Sequence, residues 1–147
     1  KTGPQILEFN ARFGDPETQP LLARMDSDIV PIFEACIDGT LDQCPLEWKN
    51  ESSVCVVMAA KGYPNSYEKG KPISGFKDAN VLPGVMVFHA GTKQHDGEVL
   101  TSGGRVLGVT ATGENIATAI SRAYEAVEKI QWDSIHYRKD IGHRVRI

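Results

Sequence analysis

Hydrophobic and polar positions alternate through Gln5-Ile6-Leu7-Glu8-Phe9-Asn10-Ala11-Arg12-Phe13, the period of a strand with one apolar and one polar face. Thr18 to Arg24 reads as a short helix, with Thr18 as its cap and Pro20 near its start. A second helix follows a cap at Ser27 or Asp28. Ile29, Ile32, Phe33, Cys36 and Ile37 form its apolar stripe, and Asp38-Gly39-Thr40 stops it. Leu41 to Ser52 is a polar connection, and a domain boundary is expected there, dividing residues 1–46 from 47–147. Val54 to Ala60 is a continuous apolar run, the pattern of a strand buried on both faces. Four more short strands are expected at 73–76, 85–90, 98–101 and 106–111, punctuated by glycine and proline. Spacing of that kind suggests a small antiparallel sheet or barrel. Residues 114–130 carry the clearest helical stripe, Ile116, Ala119, Ile120, Ala123, Tyr124, Val127 and Ile130. The segment after it, through His143, is polar and basic.

Composition narrows the function classes. The 147 residues are 41% hydrophobic and 24% charged, enough for a sizeable core. A net charge of −3 implies no broad basic surface for nucleic acid. Cys36, Cys44 and Cys55 are odd in number and lack Cys-x-x-Cys spacing, so they read as reduced thiols of a cytoplasmic protein. The four histidines have neither metal-site pairing nor a cysteine partner. No apolar run reaches the roughly 20 residues of a membrane span. The chain begins at Lys1 and its first strand arrives within a few residues, which suggests a piece starting inside a domain.

Candidate chemistry concentrates on the first strand. Glu8, Asn10 and Arg12 share one face, with neighbours about 6.5–7 Å apart. Carboxylate and amide oxygens are hard ligands suited to magnesium, and a guanidinium beside them suits phosphate. Alternation alone favours a solvated sheet face over a site. The following turn, Gly14-Asp15-Pro16-Glu17, adds two carboxylates at a strand end, where function tends to sit. Ser102-Gly103-Gly104-Arg105 is readable as a hairpin turn or as a backbone anion nest, with the turn favoured by its flanking strands. Arg138 and Lys139 are adjacent cations able to clamp a phosphate monoester, or simply a solvated basic turn.

Residues 7–19, Leu7-Glu8-Phe9-Asn10-Ala11-Arg12-Phe13-Gly14-Asp15-Pro16-Glu17-Thr18-Gln19, resemble the signature of the phosphoribosylamine–glycine ligase family, within the ATP-grasp superfamily. Ala60-Lys61-Gly62-Tyr63-Pro64, the run from Gly103 to Thr110, and Tyr137-Arg138-Lys139-Asp140-Ile141-Gly142 agree with it in the same order. The resemblance implies an α+β fold: the terminal strand and helices of an ATP-grasp domain over 1–46, then a small mixed-sheet or barrel C-terminal domain with packed helices over 47–147. It implies an ATP-dependent ligase that joins glycine to 5-phosphoribosylamine in purine biosynthesis, through a glycyl phosphate. Glu8 and Asn10 are then expected to hold magnesium, or manganese in its place, and Arg12 to contact phosphate or acyl phosphate. Asp15 and Glu17 are expected to orient substrate or support the arginine. Arg138 and Lys139 are expected at the ribose phosphate, by analogy with related enzymes. The family's chain is much longer, so its amino-terminal part is an expected partner and this piece alone is expected to be inactive. Another ATP-grasp ligase and a non-catalytic assembly module stand as alternatives.

Overall fold

A computed structural model describes residues 3–145. Along the chain run α1 (Thr18–Arg24), α2 (Ile29–Asp38), β1 (Ser52–Ala60), α3 (Phe76–Asn80), β2 (Val85–His89), β3 (Thr92–His95), β4 (Glu98–Thr101), β5 (Arg105–Gly113), α4 (Ile116–Lys129) and β6 (Ile135–Tyr137). The two most apolar strands, β1 and β5, lie side by side at the centre of a sheet ordered β2-β5-β1-β6. Its pairings are antiparallel. The sheet is open, with β2 and β6 as edges, so the expected mixed sheet or barrel does not form among the described residues. The mixed α/β character does.

Both faces of the sheet are covered, which explains the unbroken apolar run of β1. On one face Val54, Val56 and Met58 meet Val109, Leu107 and the α4 stripe of Ala119, Ile120, Ala123 and Val127. Ile120, Val127 and Ile130 are fully buried, each stabilising the fold by about 1.5–3 kcal/mol. Asn115 caps α4 by accepting from the Thr118 amide at 2.9 Å. On the other face sit Ser53, Cys55 and Val57. There Ser53 donates its hydroxyl to the Pro20 carbonyl at 2.6 Å, seating α1. Gly108 lies on this face too, where a Cβ would stand 3.3 Å from Cys55 Sγ.

Four expected elements differ. Residues 5–13 form no strand: they belong to neither sheet among the described residues, and a strand outside a sheet cannot satisfy its backbone. Ile73 to Phe76 is not a strand either. Pro72 and Ser74 make only isolated bridges, and Gly75, at φ 88°, starts α3. Thr18 is the first residue inside α1, and its hydroxyl donates back to the Gly14 carbonyl at 2.5 Å instead of capping. The Gly103-Gly104 segment is no hairpin, because β4 pairs with β3 while β5 belongs to the main sheet. Here two backbones touch: the Ser102 and Gly103 amides donate to the Gly91 carbonyl at 2.7 and 3.0 Å. Those amides are therefore not available as an anion nest.

Candidate active-site loop

The segment expected to carry metal and phosphate chemistry is exposed throughout. Glu8 accepts a hydrogen bond from the Asn10 amide nitrogen at 3.1 Å, so the two expected metal ligands are already neighbours. That bond uses the nitrogen of Asn10 and leaves its amide oxygen out of it. One carboxylate and one amide oxygen suit magnesium, which is commonly held by one or two protein oxygens, with substrate phosphates and water completing its shell. Among the described residues no group of three or more His, Cys, Asp or Glu gathers as a metal cage. A pair of donors of this kind would leave most of a magnesium shell to other ligands. Arg12 folds its guanidinium back onto the Phe13 carbonyl at 3.0 Å.

The turn after it is more firmly held. Asp15 meets Arg105 twice: the guanidinium donates to the Asp15 carbonyl and lies 3.4 Å from the Asp15 carboxylate. Arg105 also stands over the Tyr63 ring, 6.0 Å from its centroid. Burial works against the Arg105 charge, but Tyr63 and Asp15 together outweigh it and hold the guanidinium above its ordinary range. Asp15 is also close enough to Cys55 to be felt there. Burial pushes that thiol up, Thr110 opposes, and the Asp15 charge adds to the rise. Glu17 bends its carboxylate over Gly14, where a Cβ would lie 2.3 Å from Glu17 Oε2. Glu17 also rims a cavity of about 460 Å³ shared with Leu21, Arg24 and Trp48.

Arg138 and Lys139 follow β6 and are both exposed. Arg138 makes a bidentate pair with Asp140, at 3.0 and 2.8 Å. This pairing holds the Asp140 carboxyl below the usual carboxylate range. Tyr124 fixes the loop from α4, donating its hydroxyl to the Arg138 carbonyl at 2.8 Å and accepting from the Ile141 amide at 3.0 Å. No hydrogen bond or ion pair among the described residues joins Arg138 or Lys139 to residues 8–17. The strand before them lies two places from the strand whose Arg105 holds Asp15. Ala59 of β1 pairs with Arg105 on one side and His136 on the other. Two strand spacings, about 10 Å, therefore separate the backbone at Arg105 from the strand that leads into Arg138.

The sequence gives little sign that Arg105 partners the turn, since Asp15 lies 90 residues away. Its one signal is a cation immediately after a glycine pair, a context that points equally to a turn. The Arg138–Asp140 pair is likewise not among the sequence expectations, although opposite charges two residues apart are a signal for it.

A family model described as phosphoribosylglycinamide synthetase, C domain, matches residues 53–144. A phosphoribosylamine–glycine ligase of Rhodopirellula baltica is 51% identical over 146 residues, covering 99% of this chain and 33% of that protein. One from Synechocystis is 50% identical over 141 residues, covering 95% of this chain and 33% of its own length. A crystal structure of the phosphoribosylamine–glycine ligase of Thermotoga maritima superposes with a TM-score of 0.71 at 37% identity, over 93% of this chain and 33% of that one. The chain thus spans about a third of the length of the curated relatives it matches. Since the matched stretch is most of the chain and holds β1 through β6, the chain belongs to the phosphoribosylglycinamide synthetase family.

Proposed function

We propose that this chain is the carboxy-terminal part of an ATP-dependent carbon–nitrogen ligase that joins glycine to 5-phosphoribosylamine in purine biosynthesis, working in the cytoplasm. The observation that carries the reading is the similarity to phosphoribosylamine–glycine ligases along 99% of the chain, residues 8–17 included. Residues 1–46 are the end of an ATP-grasp domain, and 47–147 form the C-terminal domain. The absence of regular structure over residues 5–13 supports this division, because the strand's pairing partners would lie in the remaining length. Among the described residues no helix is long and apolar enough to cross a membrane.

The reaction has two displacements. A glycine carboxylate oxygen attacks the terminal phosphorus of ATP and ADP leaves. The amine of phosphoribosylamine then attacks the acyl carbon, phosphate leaves and an amide forms. Glu8 and Asn10 would hold magnesium or manganese, which neutralises charge on the phosphoryl oxygens when bound. Arg12 turns from the Phe13 carbonyl to the transferring phosphoryl group. Asp15 and Glu17 orient the amine and the glycine. Arg138 and Lys139 take the ribose phosphate, with Asp140 presenting the Arg138 fork until phosphate displaces it.

The test is an assay of ADP release in a polypeptide that joins this sequence to the remaining two-thirds of its relatives' length. Release that depends on glycine, phosphoribosylamine and magnesium is expected. Glu8→Gln is expected to lower turnover at least about tenfold and to raise the magnesium requirement, while the melting temperature holds. Arg138→Ala is expected to raise the KM for phosphoribosylamine and not that for ATP. Glycine-independent release, or equal effects on both substrates, would count against the reading.

A further inference from the structure

The Arg105 guanidinium ties together two parts of the chain that lie 90 residues apart. Residues 3–13, upstream of the Gly14–Glu17 turn, have no regular backbone structure. Downstream, the turn is anchored through Gly14, whose carbonyl accepts from the Thr18 amide and hydroxyl at 3.1 and 2.5 Å. Asp15, between these ends, is exposed. Arg105 reaches it from the first position of β5, and one cation holds both a carbonyl and a carboxylate of the same residue. A planar fork suits that double contact better than the point charge of a lysine.

The guanidinium is itself held in place. The Arg105 backbone pairs with Ala59, where the register of β1 and β5 shifts. Its face rests on Tyr63, and the Tyr63 ring occupies space that only a glycine at 104 allows. A Cβ at Gly104 would stand 2.1 Å from Tyr63 Cδ2. The Gly104 carbonyl accepts from the Ala60 amide at 2.8 Å, and the Tyr63 amide donates to the Ala60 carbonyl at 3.1 Å. Tyr67 packs edge-on to Tyr63 at 6.1 Å. The Gly-Gly-Arg and Lys-Gly-Tyr segments thus build one bracket for one side chain. Its exposure of 38% leaves room for substitution without opening the core.

We infer that Arg105 is a positioning residue: it fixes the turn carrying Asp15 and Glu17 against the sheet and acts on substrate only through that turn. The inference rests on the proposed role of residues 8–17 in the ligase reaction. It assigns the C-terminal domain a part in setting the geometry of the ATP-grasp edge.

Amide exchange in the 147-residue chain tests the bracket without any reaction. Arg105→Gln is expected to speed exchange at Thr18 and Leu21, whose amides donate to the Gly14 and Glu17 carbonyls, by about tenfold or more, the loss of a charged hydrogen bond, while β1, β5 and α4 keep their protection. Arg105→Lys is expected to fall between wild type and glutamine, and it reports the same amides if the glutamine variant does not fold. Unchanged exchange in the turn, or a loss of protection spread over the whole sheet, would overturn the inference. In the longer polypeptide, Arg105→Gln is expected to lower kcat with the KM for ATP unchanged, and lysine to restore part of it. Lost turnover with an undisturbed turn would mean direct substrate contact and would overturn it too. A wild-type polypeptide without glycine-dependent ADP release would refute the ligase reading, while the exchange result would still decide the bracket.

Discussion

Helices α2 and α4 are built by the same rules and end in opposite situations. Each is capped by an Asx side chain, Asp28 in one and Asn115 in the other, and each carries an apolar stripe. In α4 the stripe is buried to the last atom at Ala119, Ile120, Ala123 and Val127. In α2, Ile37 is 84% exposed and Phe33 is open as well. The same contrast divides the chain. Residues 52–141 enclose their own core, whereas residues 3–50 show Leu7 at 96% and Phe9 at 87% exposure. Periodicity says which face of an element seeks burial. It does not say where the covering surface is, and for the first region the described residues leave much of that face open.

Substitutions can break this contrast or sharpen it. The largest effect is expected at Ile120→Ala, a cavity in the shared core costing about 2–5 kcal/mol in urea unfolding. Its counterpart, Ile37→Ala, is expected to change stability by less than about 0.5 kcal/mol. A smaller pair uses the caps. Asn115→Ala is expected to cost about 1 kcal/mol of global stability. Asp28→Ala is expected to fray α2 in amide exchange and leave the unfolding midpoint unmoved. Comparable losses at both caps would mean that α2 is coupled to the core after all.

The smallest effect concerns the thiols. Cys36 is exposed and Cys55 is half-buried beside Asp15, so alkylation is expected to reach Cys36 first and Cys55 last. The folded pKa of Cys55 lies above its ordinary 9.0. Its contribution to stability is therefore complete below that value and is lost as pH rises through the folded one. Cys55→Ala should flatten that alkaline loss.

Much of the sheet and the long helix was legible because β1, β5 and α4 satisfy their patterns within this chain. The β3–β4 ribbon was half seen. Asp96-Gly97 is a strong hairpin signal, and the positive φ of both residues fits it, but Thr92 to His95 is too polar to read as a strand. Helix α3 has five residues, too few to show a period. At the site, Glu8 and Asn10 stood out through their spacing. Arg105 did not, because its partner Asp15 is far away in sequence and only the fold brings them together. The strand at residues 5–13 failed for a different reason: its pattern is sound, but a strand needs a neighbour.

That strand offers the most direct test of the account. Amide exchange over residues 6–13 can be measured in the 147-residue chain and in the proposed longer polypeptide. Near-intrinsic rates are expected in the first and strong protection in the second, with β1 and β5 equally protected in both. Equal rates over residues 6–13 in the two would contradict the account, because the proposed metal-holding strand would then have no sheet to join.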